Sequence, residues 1–311
     1  MKKNKITVYA PATVANIGCG FDSMGLAIDA PGDFLTVEFN DKKKLIVKKI
    51  TGEGGKLSTD PAKNTATVSI QALLDSLDLQ QGFTVSLAKK MPLGSGLGSS
   101  AASSVAGAFA VNELLGRPYS REELILFAME GERIACGAAH ADNVSPAMLG
   151  GIILIRSYLP FDVVSLPVPK KLMVVVVHPH VELLTKDSRA VVPSKLPIKD
   201  AIAHWSNTAA LVAGLYANDY ELIGRAVEDK VAEPFRRAFI PAFDEVKLAA
   251  LHSGALACSI SGSGPSVFAL TDSVAVAKKV AAAMKRAFAK QKISSTAYVS
   301  KVNGKGVRVV R

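Results

Sequence analysis

The chain has 311 residues, 49% of them hydrophobic, with 37 Lys+Arg against 27 Asp+Glu and a formal balance of +10. So long and apolar a chain offsets its ordering entropy, which excludes disorder as the main state, and only three cysteines (Cys19, Cys136, Cys258) exclude a disulfide scaffold. The basic excess sits at Lys2, Lys3 and Lys5, Lys42 to Lys44, Lys48 and Lys49, and Lys285, Lys290 and Lys292, without the interleaved aromatics of a nucleic-acid surface, so solvated edges and faces are expected.

In chain order, Ile6 to Tyr9, Phe34 to Phe39 and Leu45 to Lys49 are predicted strands. Asn64-Thr65 caps a predicted helix with Val68, Ala72 and Leu73 on its apolar face. Phe83 to Leu87 alternates as a strand, then comes a glycine loop and a small-residue helix from Ser99 to Leu115. Ser120 with Glu123 forms a capping box, and Ile152 to Ile155 is a strand. Prolines at 160, 167 and 169 mark the expected boundary between domains 1–165 and 166–311. Beyond it come a strand (172–177), a polar segment (182–197), helices (199–217, 219–231, 242–252), strands around Ser-Gly-Ser-Gly-Pro, an Ala/Lys helix (273–290) and strands near 294–301 and 307–310. The class is α+β rather than strictly alternating.

No signal peptide is expected, since no long apolar stretch follows Met1-Lys2-Lys3 before Asn16. The longest greasy run, Leu172 to Val177, falls far short of the ~20 residues needed to cross a bilayer. The reading is therefore cytoplasmic, with reduced, unpaired cysteines and neither membrane nor nucleic-acid partners.

The strongest local signal is Pro92-Leu93-Gly94-Ser95-Gly96-Leu97-Gly98-Ser99-Ser100-Ala101-Ala102. Glycines at every second position expose backbone N–H groups, and the helix that follows adds orphan donors and a positive dipole end. The serines supply hydroxyls for a cap, a phosphate or Mg²⁺, and the alanines leave room for a ligand. It is neither a Walker A loop nor a dinucleotide fingerprint, and an anion cradle is favoured over a packed turn. Ser261-Gly262-Ser263-Gly264-Pro265 reads equally as a hairpin turn or a second anion nest.

Other candidates keep bland alternatives. Asp142 suits a general base, Asn143 a hydroxyl-orienting amide and His140 a strut, but an ordinary helix cap fits as well. Glu132 could meet Mg²⁺ or be a solvated glutamate. Asn16 and Asp22 flank a glycine turn suited to an ammonium or hydroxyl, or to a structural Asx-turn. Arg189 and Arg236 could fork onto a carboxylate or sit on the surface.

Together these segments resemble the GHMP kinase superfamily, and within it the homoserine kinases, nearly end to end. The resemblance rests on Pro11-Ala12-Thr13-Val14-Ala15-Asn16-Ile17-Gly18-Cys19-Gly20-Phe21-Asp22, the glycine loop, His140-Ala141-Asp142-Asn143, Asp187-Ser188-Arg189, Glu233-Pro234-Phe235-Arg236 and the second glycine cluster, in the family's order. It implies an N-terminal domain like ribosomal protein S5 domain 2, with a left-handed crossover, and a ferredoxin-like C-terminal domain. It also implies ATP-dependent phosphorylation of the L-homoserine hydroxyl by a homodimer.

By the same resemblance, Asn64 and the loop Pro92 to Ala102 would hold ATP, and Ser100 and Glu132 would hold Mg²⁺. Asn16, Asp22, His140, Asn143, Arg189, Arg236 and Gly262 would surround homoserine. Catalysis would rest on Asn143, Glu132 and Arg189, with Asp142 secondary. A mevalonate-type kinase and a non-catalytic sensor on the same scaffold are the rival readings. The Gly-Glu-His typical of mevalonate kinases is missing after the first strand, and the metal, amide and arginine residues are all present.

Overall fold

A computed structural model describes residues 4–310 except 53, 138, 182 and 184, and gives no side-chain placement for 136 and 185–187. Lys2, Lys3 and the side chains of Cys136 and Asp187 therefore lie outside the described residues.

The first half is built on β1 (Lys5–Ala15), β2 (Met24–Asn40), β3 (Leu45–Thr51), α1 (Thr65–Ser76), β4 (Gly82–Ala88), α2 (Ser99–Leu114), α3 (Arg121–Cys136), α4 (Ala141–Leu149), β5 (Ile152–Tyr158) and β6 (Phe161–Leu166). The second holds β7 (Met173–Pro179), α5 (Thr185–Ala190), α6 (Ile198–Ala217), α7 (Tyr220–Ala226), α8 (Glu233–Arg236), α9 (Phe243–His252), β8 (Ala257–Ile260), β9 (Val267–Thr271), α10 (Val274–Lys290), β10 (Ser295–Lys301) and β11 (Arg308–Val310).

The larger sheet runs β11-β1-β2-β4-β3, with the β5–β6 hairpin attached to the first residues of β2. β1 and β2 both extend well past the alternating cores that predict them. Their pairing slips between Pro11 and Thr13, where a proline cannot donate to the ladder. The slack leaves residues 28–31 outside the register, and Asp29 N–H reaches Ser300 Oγ at 2.8 Å, tying this sheet to the second half. The final strand also crosses back, pairing Thr7 with Val310.

The second sheet has the order β10-β7-β9-β8 with every neighbour antiparallel. Strand–helix–strand–strand–helix–strand in that order is the expected ferredoxin-like arrangement. β7 is buried on both faces, which explains its unbroken apolar run. Val175 and Val177 pack with Val280, Met284 and Phe288, while Val174 and Val176 join the main core.

α2 threads that core, and small residues let its neighbours close in. A Cβ on Gly107 would lie 2.3 Å from the Ala66 carbonyl of α1, and one on Gly131 of α3 would lie 2.3 Å from Ser104 Oγ. Ala101 and Ala102 are fully buried, so the room expected beside them is filled by protein.

Ser120 and Glu123 form the predicted capping box. On α1 the buried face is Ile70, Leu73 and Leu74 rather than Val68 and Ala72. The helix predicted over 219–231 ends at Ala226, because Asp229 gathers the N–H groups of Val231, Ala232 and Glu233 at 2.7, 2.8 and 2.9 Å. The polar segment 182–197 holds the short helix α5.

Candidate active site

The glycine loop carries β4 into α2. Gly94, Gly96 and Gly98 have φ of 60°, 74° and 67°, a region open mainly to glycine. Space is short as well: a Cβ on Gly98 would lie 2.0 Å from Thr13 Oγ1 and 2.8 Å from Asn143 Oδ1. Gly98 is the N-cap of α2 and has no side chain to offer, which leaves first-turn N–H groups to an outside acceptor. Ser95 Oγ, buried in the same loop, has no hydrogen-bond partner among the described residues.

The second glycine cluster turns between β8 and β9 and backs the first. Ser261 Oγ donates to the Gly96 carbonyl at 2.7 Å, Ser266 N–H to the Ser95 carbonyl at 3.2 Å, and Gly262 N–H to the Ala15 carbonyl at 3.2 Å. It is thus a turn that also props the phosphate-type loop from the other half of the chain.

On the far side of α2's first turn, Ser100 Oγ donates to Glu132 Oε2 at 3.0 Å. Glu132 is 6% exposed, well removed from a solvated surface carboxylate. Among the described residues no group of three or more His, Cys, Asp or Glu could hold a metal ion. A pair of hard oxygens like this one suits Mg²⁺, which keeps waters and substrate phosphates as its other ligands.

Beneath the loop lies a pair absent from the sequence reading. Lys89 Nζ is ion-paired to Asp33 and donates to the Ser99 carbonyl at 2.7 Å and Ser103 Oγ at 2.9 Å.

The opposite wall gathers the remaining candidates. Asn143, on α4, accepts from Thr13 Oγ1 at 2.6 Å, so its amide nitrogen is turned toward Asp142, 3.5 Å away. Asn16 donates to the Gly262 carbonyl at 3.2 Å and accepts Asp22 N–H at 3.1 Å. Asn16 and Asp22 have φ of 71° and 54°, and the Asn16 side chain reaches the residue six positions on, so it closes the whole glycine turn rather than forming the two-residue Asx-turn.

Arg189 forks onto Asp22, with contacts of 2.8 and 2.6 Å. Arg236 is 4% exposed and donates to the carbonyls of Ser188 and Gly262, both at 2.9 Å. Both guanidinium carbons lie 5.3 Å from the centroid of the Phe21 ring. Two cations and one carboxylate thus gather around a single aromatic ring.

The chain as a whole is matched in known proteins. Residues 64–151 match the family described as GHMP kinases N terminal domain, and residues 211–290 match GHMP kinases C terminal. Homoserine kinase from Chlorobium phaeovibrioides is 47% identical over 97% of this chain and 98% of its own. The chain belongs to the homoserine kinase family. The crystal structure of homoserine kinase from Cytophaga hutchinsonii is 52% identical, with a TM-score of 0.97 covering 100% of this chain and 98% of that one. L. major mevalonate kinase is 19% identical, with a TM-score of 0.75 covering 97% of this chain and 99% of that one, a likeness of fold alone.

Within this homoserine kinase fold, charge states follow burial. Asp142 is 5% exposed, and burial, helped by the negative charge of Asp22, pushes its carboxyl up to about 7. Burial also lowers the His140 pKa, with Asp22 opposing and the two arginines assisting, which favours a neutral ring. The buried Cys19 and Cys258 thiols are pushed up to about 12, chiefly by burial, which suits inert packing residues.

Asn64 is the N-cap of α1, with Oδ1 accepting from Ala66 N–H and Nδ2 donating to the Ser58 carbonyl, both at 3.1 Å. Tyr158 also reaches the site: it accepts Ala141 N–H at 3.2 Å and donates to the Asp22 carbonyl at 3.4 Å. Its position at the end of β5, beyond the predicted strand, carries no sequence signal.

Proposed function

We propose that this enzyme transfers the γ-phosphoryl group of ATP to the side-chain hydroxyl of L-homoserine, giving O-phospho-L-homoserine on the way to threonine. The observation that carries the reading is contact between two half-sites. The anion-type loop and the zwitterion-type cluster meet at Gly98, where a Cβ would lie 2.8 Å from Asn143 Oδ1.

In this reading the loop from Pro92 to Ser100 binds the triphosphate, through backbone N–H groups and the Ser95 hydroxyl. Asn64 acts near the nucleotide through the start of α1, since its own amide is engaged. Ser100 and Glu132 would hold Mg²⁺, which would supply charge neutralisation to the phosphates.

Asp22 receives the substrate ammonium, while Arg189 and the remaining donors of Arg236 receive its carboxylate. The substrate's two charges replace the Arg189–Asp22 pair, so neither protein charge is left alone on binding. Asn16, His140 and Gly262 shape the wall. Asn143, its oxygen held by Thr13, donates through its amide to the reacting hydroxyl or the oxygen it attacks.

Phosphoryl transfer draws mainly on positioning and electrostatics. The hydroxyl proton passes to a phosphate oxygen, with Asp142 a secondary acceptor whose raised pKa suits that part. We take the working form to be a cytoplasmic homodimer without membrane or nucleic-acid partners.

Phosphorus NMR of enzyme, ATP, Mg²⁺ and L-homoserine tests the reading. A phosphomonoester signal growing with ADP is expected; ADP without that signal would overturn it. A sensor without catalysis, the second reading, would give neither.

A further inference from the structure

We propose that the buried Lys89–Asp33 pair is a positioning unit that clamps both stems of the phosphate loop and sets the affinity for ATP. The inference rests on the reading of that loop as the triphosphate cradle.

Asp33 Oδ1 accepts the N–H groups of Lys90 at 2.6 Å and Met91 at 3.1 Å, the last residues before the loop. Lys89 Nζ holds the Ser99 carbonyl and Ser103 Oγ, the first turn after it. The carboxylate fastens the incoming chain, the ammonium fastens the outgoing helix, and the two are joined to each other.

Stability alone does not account for this choice. The Lys89 and Asp33 side chains are 1% and 0% exposed, and burying an ion pair usually gains little over apolar residues of similar volume. A cation at a helix N-terminus also opposes the helix dipole. Both features become favourable when an anion sits above that terminus. The pair holds the loop open in a shape the glycines alone would not keep.

The test measures the Kd for ATP with Mg²⁺ by calorimetry, without homoserine, on wild type, Lys89→Met and the double variant Asp33→Asn with Lys89→Met. In the double variant the new side-chain amide oxygen can still accept the Lys90 and Met91 N–H groups, and no charge is left unpaired. The expected result is a double variant with a melting temperature near wild type and a Kd weakened about tenfold or more, the loss of a charge-assisted contact network.

A folded double variant that binds ATP as wild type does would overturn the proposal. Should the double variant not fold, Ser103→Ala decides, since it removes one acceptor of Nζ and no charge. A Kd weakened about threefold supports the clamp, and an unchanged Kd overturns it. Homoserine turnover by wild type is recorded separately. Its absence would sink the proposed reaction while leaving the Kd comparison intact.

Discussion

Thr13 Oγ1 donates to Asn143 Oδ1 at 2.6 Å, joining the first strand to α4 at the point where the loop glycine Gly98 passes. The bond fixes which end of the Asn143 amide faces the substrate. Thr13→Val keeps the shape of a fully buried residue but leaves the amide free to turn. An unsatisfied buried acceptor costs about 1–3 kcal/mol, so kcat is expected to fall about tenfold or more, with the KM for ATP nearly unchanged. Steady-state kinetics with either substrate varied will show whether the loss lies in kcat.

The two arginines differ in burial, and their variants are expected to differ accordingly. Arg189→Met removes a half-exposed side chain, so the KM for homoserine rises about tenfold or more while thermal stability stays near wild type. Arg236→Met also strands the Ser188 carbonyl and leaves the Gly262 carbonyl to Asn16 alone, so it weakens homoserine binding and lowers the melting temperature together. Equal melting temperatures for the two variants would contradict this division.

Gly98→Ala places a methyl where φ is 67° and where Thr13 Oγ1 would be 2.0 Å away. Activity is expected to drop by about a hundredfold or more, through misplacement of the loop against Asn143. Gly116→Ala is the control: it too has positive φ, 92°, but its Cβ would meet nothing within 4 Å, so the strain comes without the collision.

Burial gives Asp142 a stability signature. Its carboxyl is raised from 3.8 to about 7 in the folded chain, so the folded state binds the proton more tightly than the unfolded one. That contribution is fully present below 3.8 and is lost as the pH rises through about 7. The melting temperature of wild type should therefore fall relative to Asp142→Asn as the pH rises across this window. A pH-independent difference between the two proteins would mean that Asp142 does not titrate there.

Much of the site was legible because its chemistry is local in sequence. The glycine loop, the HADN segment and the capping box at Ser120 each carry their physics within about ten residues. The ferredoxin-like order likewise matched what the family resemblance implied. Lys89 and Asp33 were not legible. Fifty-six positions separate them, and Lys89-Lys90 before Met91 looks like any solvated lysine doublet until the sheet brings them together. Thr13 lies inside the first motif, but its partner Asn143 is 130 positions away, and the register slip beside Pro11 is invisible in the sequence. On α1, Leu73 is buried as its spacing predicts, but Val68 and Ala72 are only half-buried, because α2 approaches from the side of Ser69, whose hydroxyl donates to the Ser104 carbonyl at 2.7 Å.

The central claim is that the loop and the zwitterion cluster form one site for phosphorylating an amino-acid hydroxyl. A coupled ADP-release assay with ATP and Mg²⁺, run across L-homoserine, mevalonate and galactose, tests it most directly. Release with homoserine alone is the predicted result, because only homoserine presents the carboxylate and ammonium that match Arg189, Arg236 and Asp22. No response to homoserine, or an equal response to mevalonate, would contradict the account.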